Sequence, residues 1–222
     1  MNKNLTEMVF ILDRSGSMSG LESDTIGGYN SLMEKQKNEQ GEATITTVLF
    51  DDMYEMIHDH ADIKKVKPMD NKTYYARGCT ALLDAIGKTI NHVGNRHKFA
   101  PDNEVPGKTM VVIITDGYEN SSQEFKLDKI HSMIEHQKAK FGWEFLFLGA
   151  NIDAIETAGT FGISADRAVT YEADSVGTEM NFRAVNEAVS CMRECRPMAA
   201  DWKRDIEDYR NSKKKDKTRV LR

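Results

Sequence analysis

Three short stretches of the chain are continuously apolar. Residues 8–12 (Met-Val-Phe-Ile-Leu) end at Asp13, residues 110–114 (Met-Val-Val-Ile-Ile) at Thr115-Asp116-Gly117, and residues 145–148 (Phe-Leu-Phe-Leu) at Gly149. Unbroken apolar runs of this length predict strands buried on both faces, as in a parallel sheet. Residues 43–50 are Thr-rich and half polar, which predicts a strand near a sheet edge. Asp51-Asp52 then reads as a tight turn into a strand over 53–58. Two residues leave no room for a crossover, so that strand is expected to be antiparallel. Residues 168–171 read as a last short strand.

Helical spacing fills the intervals. Leu82, Ile86, Thr89, Ile90 and Val93 share one face, as do Leu127, Ile130, Met133 and Ile134. Ser121 and Glu124 precede the second stripe in the spacing of a capping box. Phe182, Val185, Val189 and Met192 form a third stripe. Ile26, Tyr29, Leu32 and Met33 predict a helix despite Gly27-Gly28, and 151–158 a weaker one. Residues 93–107 read as a polar, proline-containing loop. Pro197 is expected to close the last domain helix, since proline cannot continue one. Beyond it, Trp202, Ile206 and Tyr209 predict an amphipathic helix over 199–210.

Strands alternating with helices mean crossover units. The expected fold is therefore α/β: a three-layer α/β/α, Rossmann-like, doubly wound sheet, mostly parallel, with one antiparallel edge strand. A length of 222 residues favours one domain. The pattern bounds it at residues 1–196, with 197–222 as an amphipathic segment and a basic tail.

Composition narrows the setting. No apolar run approaches the ~20 residues of a spanning helix, which predicts no membrane partner, and the N-terminus does not read as a signal peptide. Three cysteines make an odd count with no visible disulfide framework, so a reduced, cytoplasmic compartment is expected. Thirty basic against 35 acidic side chains give a net charge of −5. Residues 213–222 hold six of the bases and one acid, so the tail carries +5 and the rest of the chain −10. So acidic a body gives no general reason to bind nucleic acid, and only the tail offers such a contact.

The chemistry gathers in three loops: Asp13-Arg14-Ser15-Gly16-Ser17, Gly78-Cys79-Thr80 and Thr115-Asp116-Gly117. Asp13 and Asp116 both end apolar strands, and in open α/β sheets ligands bind outside the carboxyl ends of strands. Asp13, Ser15, Ser17, Thr80 and Asp116 make an all-oxygen set of two carboxylates and three hydroxyls. Such a set suits a hard cation. With hydroxyls supplying much of the shell, little negative charge is donated, and the cation stays electrophilic toward an incoming carboxylate.

Asp-x-Ser-x-Ser at 13–17, Thr80 and Thr-Asp-Gly at 115–117, in this order, resemble the metal-ion-dependent adhesion site of von Willebrand factor A domains. The resemblance covers roughly residues 5–195 and is nearest in form to short, stand-alone bacterial or phage versions. It implies Mg²⁺ or Mn²⁺ at those five residues, with Ca²⁺ less favoured. In that family the serines and threonine contact the metal, the aspartates act directly or through water, and a partner protein's Asp or Glu fills the open position. Cys79 departs from the small residue often found beside the threonine.

The function implied is a metal-dependent protein-binding module and not an enzyme. The alternative is a Mg²⁺-dependent phosphohydrolase using Asp13 as nucleophile. Ser15 stands where such enzymes place a second Asp, which argues against it. No Gly-x-Ser-x-Gly elbow exists to anchor a serine triad. A third reading gives Trp202, Ile206 and Tyr209 to a partner's groove, or else to the domain itself. Gly87-Lys88-Thr89 and Gly107-Lys108-Thr109 lack the earlier glycine of a phosphate loop. His58 and His60 read as edge-strand polarity, Cys191 and Cys195 as buried or idle thiols, and Glu119 and Asn120 as rim or loop residues.

Overall fold

The computed structural model describes residues 1–220, with side chains through residue 215. Lys217, Arg219 and Arg222 of the expected basic tail thus lie outside the described side chains. The elements run β1 (Asn2–Asp13), α1 (Glu22–Lys37), β2 (Glu42–Phe50), β3 (Tyr54–Asp62), α2 (Leu82–Phe99), β4 (Pro106–Thr115), α3 (Leu127–Phe141), β5 (Glu144–Ala150), α4 (Ala154–Thr160), β6 (Ala168–Tyr171), α5 (Ser175–Arg193) and α6 (Arg204–Val220). One six-stranded sheet has the order β3-β2-β1-β4-β5-β6. Only β3 is antiparallel, at the edge beside β2.

The apolar runs are continuous because the sheet is covered on both sides. On β1, Met8, Phe10 and Leu12 pack with α1, α5 and α6, while Val9 and Ile11 pack with α2, α3 and α4. Alternate residues serve opposite layers, as the period of two requires. The strand order reverses at β1, whose neighbours β2 and β4 lie on either side. The ends of β1 and β4 therefore flank the switch-point crevice. Among the described residues, no helix is long and apolar enough to cross a membrane.

Several local expectations are corrected. Residues 93–99 are helical, so α2 runs to Phe99 and the loop begins only at residue 100. Its polar last turn is held by ion pairs: Arg96 and His97 bind Glu7, which is fully buried on β1, and Arg96 also binds Asp59. The Ser121–Glu124 capping box does not form. The amides of Gln123, Glu124 and Phe125 donate instead to Asp84 of α2 at 2.8–2.9 Å, and α3 starts later, after Lys126. Nor does Pro197 end α5. The helix stops at Arg193, where Cys195 takes a positive φ of 57° and Arg196 N donates to Cys191 O at 2.8 Å. The C-terminal helix begins at Arg204 rather than 199 and continues past 210 to Val220. The edge strand spans 54–62 with register shifts, and its histidines turn inward: His58 Nδ1 lies 3.3 Å from Tyr29 Oη, and His60 Nδ1 3.6 Å from Glu7. Of the two readings of the thiols, buried or idle, Cys195 takes the exposed one, with Lys108 Nζ 2.8 Å from its sulfur.

Candidate metal centre

β1 delivers Asp13 to the rim, and its carboxylate is fixed from two sides. Ser15 N donates to Oδ1 at 2.6 Å and Thr115 Oγ1 donates to Oδ2 at 2.6 Å. Tyr74 Oη donates to the Asp13 main-chain oxygen at 2.5 Å. Burial pushes the Asp13 carboxyl up to about 6, against the Thr115 and Ser15 hydrogen bonds, and the nearby Asp116 charge adds to the rise.

The loop after Asp13 turns sharply through a 3₁₀ turn over Gly16–Met18. That turn brings Ser15 Oγ and Ser17 Oγ within 2.9 Å of each other. Gly16 N donates to Gly78 O at 3.1 Å, which ties the first loop to the second. In the second loop Thr80 N donates to Asn120 Oδ1 at 2.9 Å, and Asn120 N returns a bond to Thr80 O. The third loop passes close over the other two. A methyl added to Gly117 would lie 3.1 Å from Ser17 Oγ and 3.3 Å from Thr80 Oγ1. Glycine there leaves the space between the hydroxyls open.

Asp116 is 1% exposed, yet neither carboxylate oxygen has a hydrogen-bond partner. Burial raises its pKa, and the nearby Ser17 hydroxyl offsets only part of that. Leaving a buried charged acceptor unpaired costs several kcal/mol. The three loops thus bring the five residues singled out from the sequence to one rim, and oxygens of this kind are what a hard divalent cation takes. Among the described residues, no group of three or more His, Cys, Asp or Glu is placed to hold a metal, and this cluster, with two carboxylates, relies on hydroxyls for the rest of its oxygens.

Sequence reasoning missed the supports. Thr115 and Tyr74 orient Asp13, and Asn120 positions Thr80. Glu119 accepts from the amides of Leu83, Ser121 and Ser122, so both loop residues after Tyr118 brace the site. Arg14, fully buried, pairs with Asp51 at 2.9 Å, and Arg77 joins the same carboxylate at 2.6 Å. Apart from the bonds of Glu119 to Ser121 and Ser122, these contacts join residues 26 to 102 positions apart, so no local spacing announces them.

No model of a protein family matches the sequence, and no curated protein matches it. Solved structures do match in shape. Proximal thread matrix protein 1 of the mussel byssus, with a zinc-occupied MIDAS motif, aligns over 86% of this chain and 47% of its own, at 14% identity and TM-score 0.57. A von Willebrand factor type A protein from Catenulispora acidiphila aligns over 83% of this chain and 42% of its own, at 14% identity and TM-score 0.52. The pilus adhesin SpaC from Lactobacillus rhamnosus GG, in an open conformation, aligns over 86% of this chain and 30% of its own, at 10% identity and TM-score 0.65. The chain spans less than half the length of each. At such identities the likeness is one of fold, and with its single antiparallel edge strand the chain has the α/β fold of a von Willebrand factor A domain.

Proposed function

We propose that the protein is a divalent-metal-dependent protein-binding module. Asp13, Ser15, Ser17, Thr80 and Asp116 would hold Mg²⁺ or Mn²⁺, and an Asp or Glu of a partner protein would complete the shell. The observation that carries this reading is the buried carboxylate of Asp116, neither oxygen of which has a hydrogen-bond partner, next to Gly117, whose Cα lies over the Ser17 and Thr80 hydroxyls. A cation there supplies an electrophilic centre that lets a chain of net charge −5 accept an anionic group. The zinc-occupied motif of the mussel protein supports a divalent metal in general. Oxygen donors without His or Cys favour harder ions than zinc.

The phosphohydrolase alternative finds less support. Both Asp13 oxygens are already engaged, by Ser15 N and Thr115 Oγ1, which suits a positioned ligand better than a free nucleophile. Titration calorimetry with Mg²⁺, Mn²⁺ and Ca²⁺ tests the assignment. Binding by the wild type, with loss in Asp116→Ala at an unchanged circular dichroism spectrum, is the expected result. Equal binding by both proteins would remove the site. Mg²⁺-dependent phosphatase turnover that vanishes in Asp13→Asn would favour the enzyme.

A further inference from the structure

The loops around the carboxylate-and-hydroxyl cluster carry large side chains that the core does not use. Tyr118, two residues past Asp116, is 65% exposed. Across the cluster, Met53 in the turn after β2 is 61% exposed, and Tyr75 in the segment before α2 is 41% exposed. Tyr, Met and Arg are enriched where proteins meet.

The second of these patches is linked by contacts among its own side chains. Arg77 stacks on the Tyr75 ring at 5.2 Å, donates from Nη1 to Tyr75 Oη at 2.8 Å, and lays Nη2 4.0 Å from Met53 Sδ. Its Nε is pinned to Asp51, which also holds Arg14, the residue next to Asp13. Met53, Tyr75 and Arg77 are thus one surface tied to the loop that carries Asp13. Side chains already held by one another lose less conformational freedom when a partner covers them.

Charge limits what fits. The Asp52 carboxylate sits directly over Gly78, in the loop that also carries Thr80. An acidic run would meet this carboxylate as well as the cation, whereas a single acid among apolar residues would not.

Resting on the metal-site reading above, we propose that the partner presents one Asp or Glu in an extended segment, flanked by large apolar side chains. One flanking residue packs on Tyr118 and the other on the Met53–Tyr75 patch. The ends of β4 and β2, on either side of β1, are two strand spacings apart, roughly 10 Å, and an extended chain advances about 3.3 Å per residue. Side chains of an extended chain share a face only every second residue, so the two apolar residues are expected two positions to either side of the acid, roughly 13 Å apart.

Selection of a phage-displayed random peptide library on the full chain in Mg²⁺, with chelator elution, tests this. The expected winners hold an acid with a large apolar residue on each side. The tightest peptide should lose on the order of tenfold affinity in Tyr118→Ser and again in Met53→Ser, while both variants still bind Mg²⁺ like the wild type. Acidic peptides without apolar neighbours, equal affinity in the variants, or no chelator-eluted peptide at all would overturn the proposal with the metal site intact. A wild type that binds no Mg²⁺ would instead remove the reading beneath it.

Discussion

Thr115 Oγ1 donates to Asp13 Oδ2 at 2.6 Å, joining the ends of β1 and β4 at the point where the strand order reverses. The bond holds one of two neighbouring buried carboxylates in place while the other, Asp116, keeps both oxygens free. Thr115→Val should keep the shape of the site and remove only this restraint. Partners of a metal's ligands typically contribute 10–100-fold to affinity. A fall in Mg²⁺ affinity of about tenfold is therefore expected, measured by calorimetry. An unchanged value would mean that Asp13 needs no support.

Glu7 and Arg96 make the second consequential pair. Burial alone would raise the Glu7 carboxyl, but the imidazoles of His60 and His97 and the Arg96 charge outweigh it and hold the group well below the usual carboxylate range. A depressed folded pKa adds stability above the unfolded value, near ~4.3, and that stability fades as pH falls below it. Glu7→Gln, which leaves Arg96 without its buried partner, should cost about 3 kcal/mol at pH 7. In urea titrations the gap to wild type should persist at pH 5 and narrow below about pH 4. A gap that widens in acid would contradict the assignment.

Gly28 of α1 touches Phe182 of α5: a methyl on Gly28 would fall 2.2 Å from the ring, whereas one on Gly27 would meet nothing within 4 Å. Alanine in a helix interior normally gains about 1 kcal/mol over glycine. Gly27→Ala should therefore stabilise by up to about 1 kcal/mol, and Gly28→Ala should destabilise by about 1–3 kcal/mol through overpacking. Thermal unfolding of the pair is the measurement, and the same sign for both would refute the close approach.

The architecture was readable because β1, β4 and β5 are buried on both faces, so their residues spell continuous apolar runs. The five residues proposed to hold the metal could be picked out because three lie within one five-residue loop and the others sit beside strand or helix ends. What stayed hidden depends on long-range contact. Asp84, read only as part of a helix, satisfies three amides about 40 residues away, and this displaces the local capping box. The polar end of α2 looked like a loop because its partners, Glu7 and Asp59, lie on two strands of the sheet. The end of α5 is set by a left-handed Cys195, which no residue preference announces.

The last prediction concerns the C-terminal helix, whose apolar stripe left docking on a partner and docking on the domain equally open. Trp202 and Ile206 are 7% and 2% exposed and join the core on the α1–α5 face. Trp202 Nε1 donates to Asp166 O at 2.8 Å, and Lys203 Nζ caps the carbonyls of Ala165 and Ala168 at 2.8 Å each. Tyr209 Oη donates to Asp174 Oδ2 at 2.8 Å, and Asp174 Oδ1 caps α5 by accepting from Gly177 N at 2.8 Å. The residues leading into α6 are thus held to the segment 165–168 at the start of β6, and Tyr209 ties the first half of α6 to the start of α5. In the isolated protein, amides from about 207 to 212 should exchange slowly, as a packed helix does. Trp202→Ala should cost about 3–5 kcal/mol and release that protection before the rest of the domain unfolds. Rapid exchange across α6 in the wild type would return the stripe to a partner's groove.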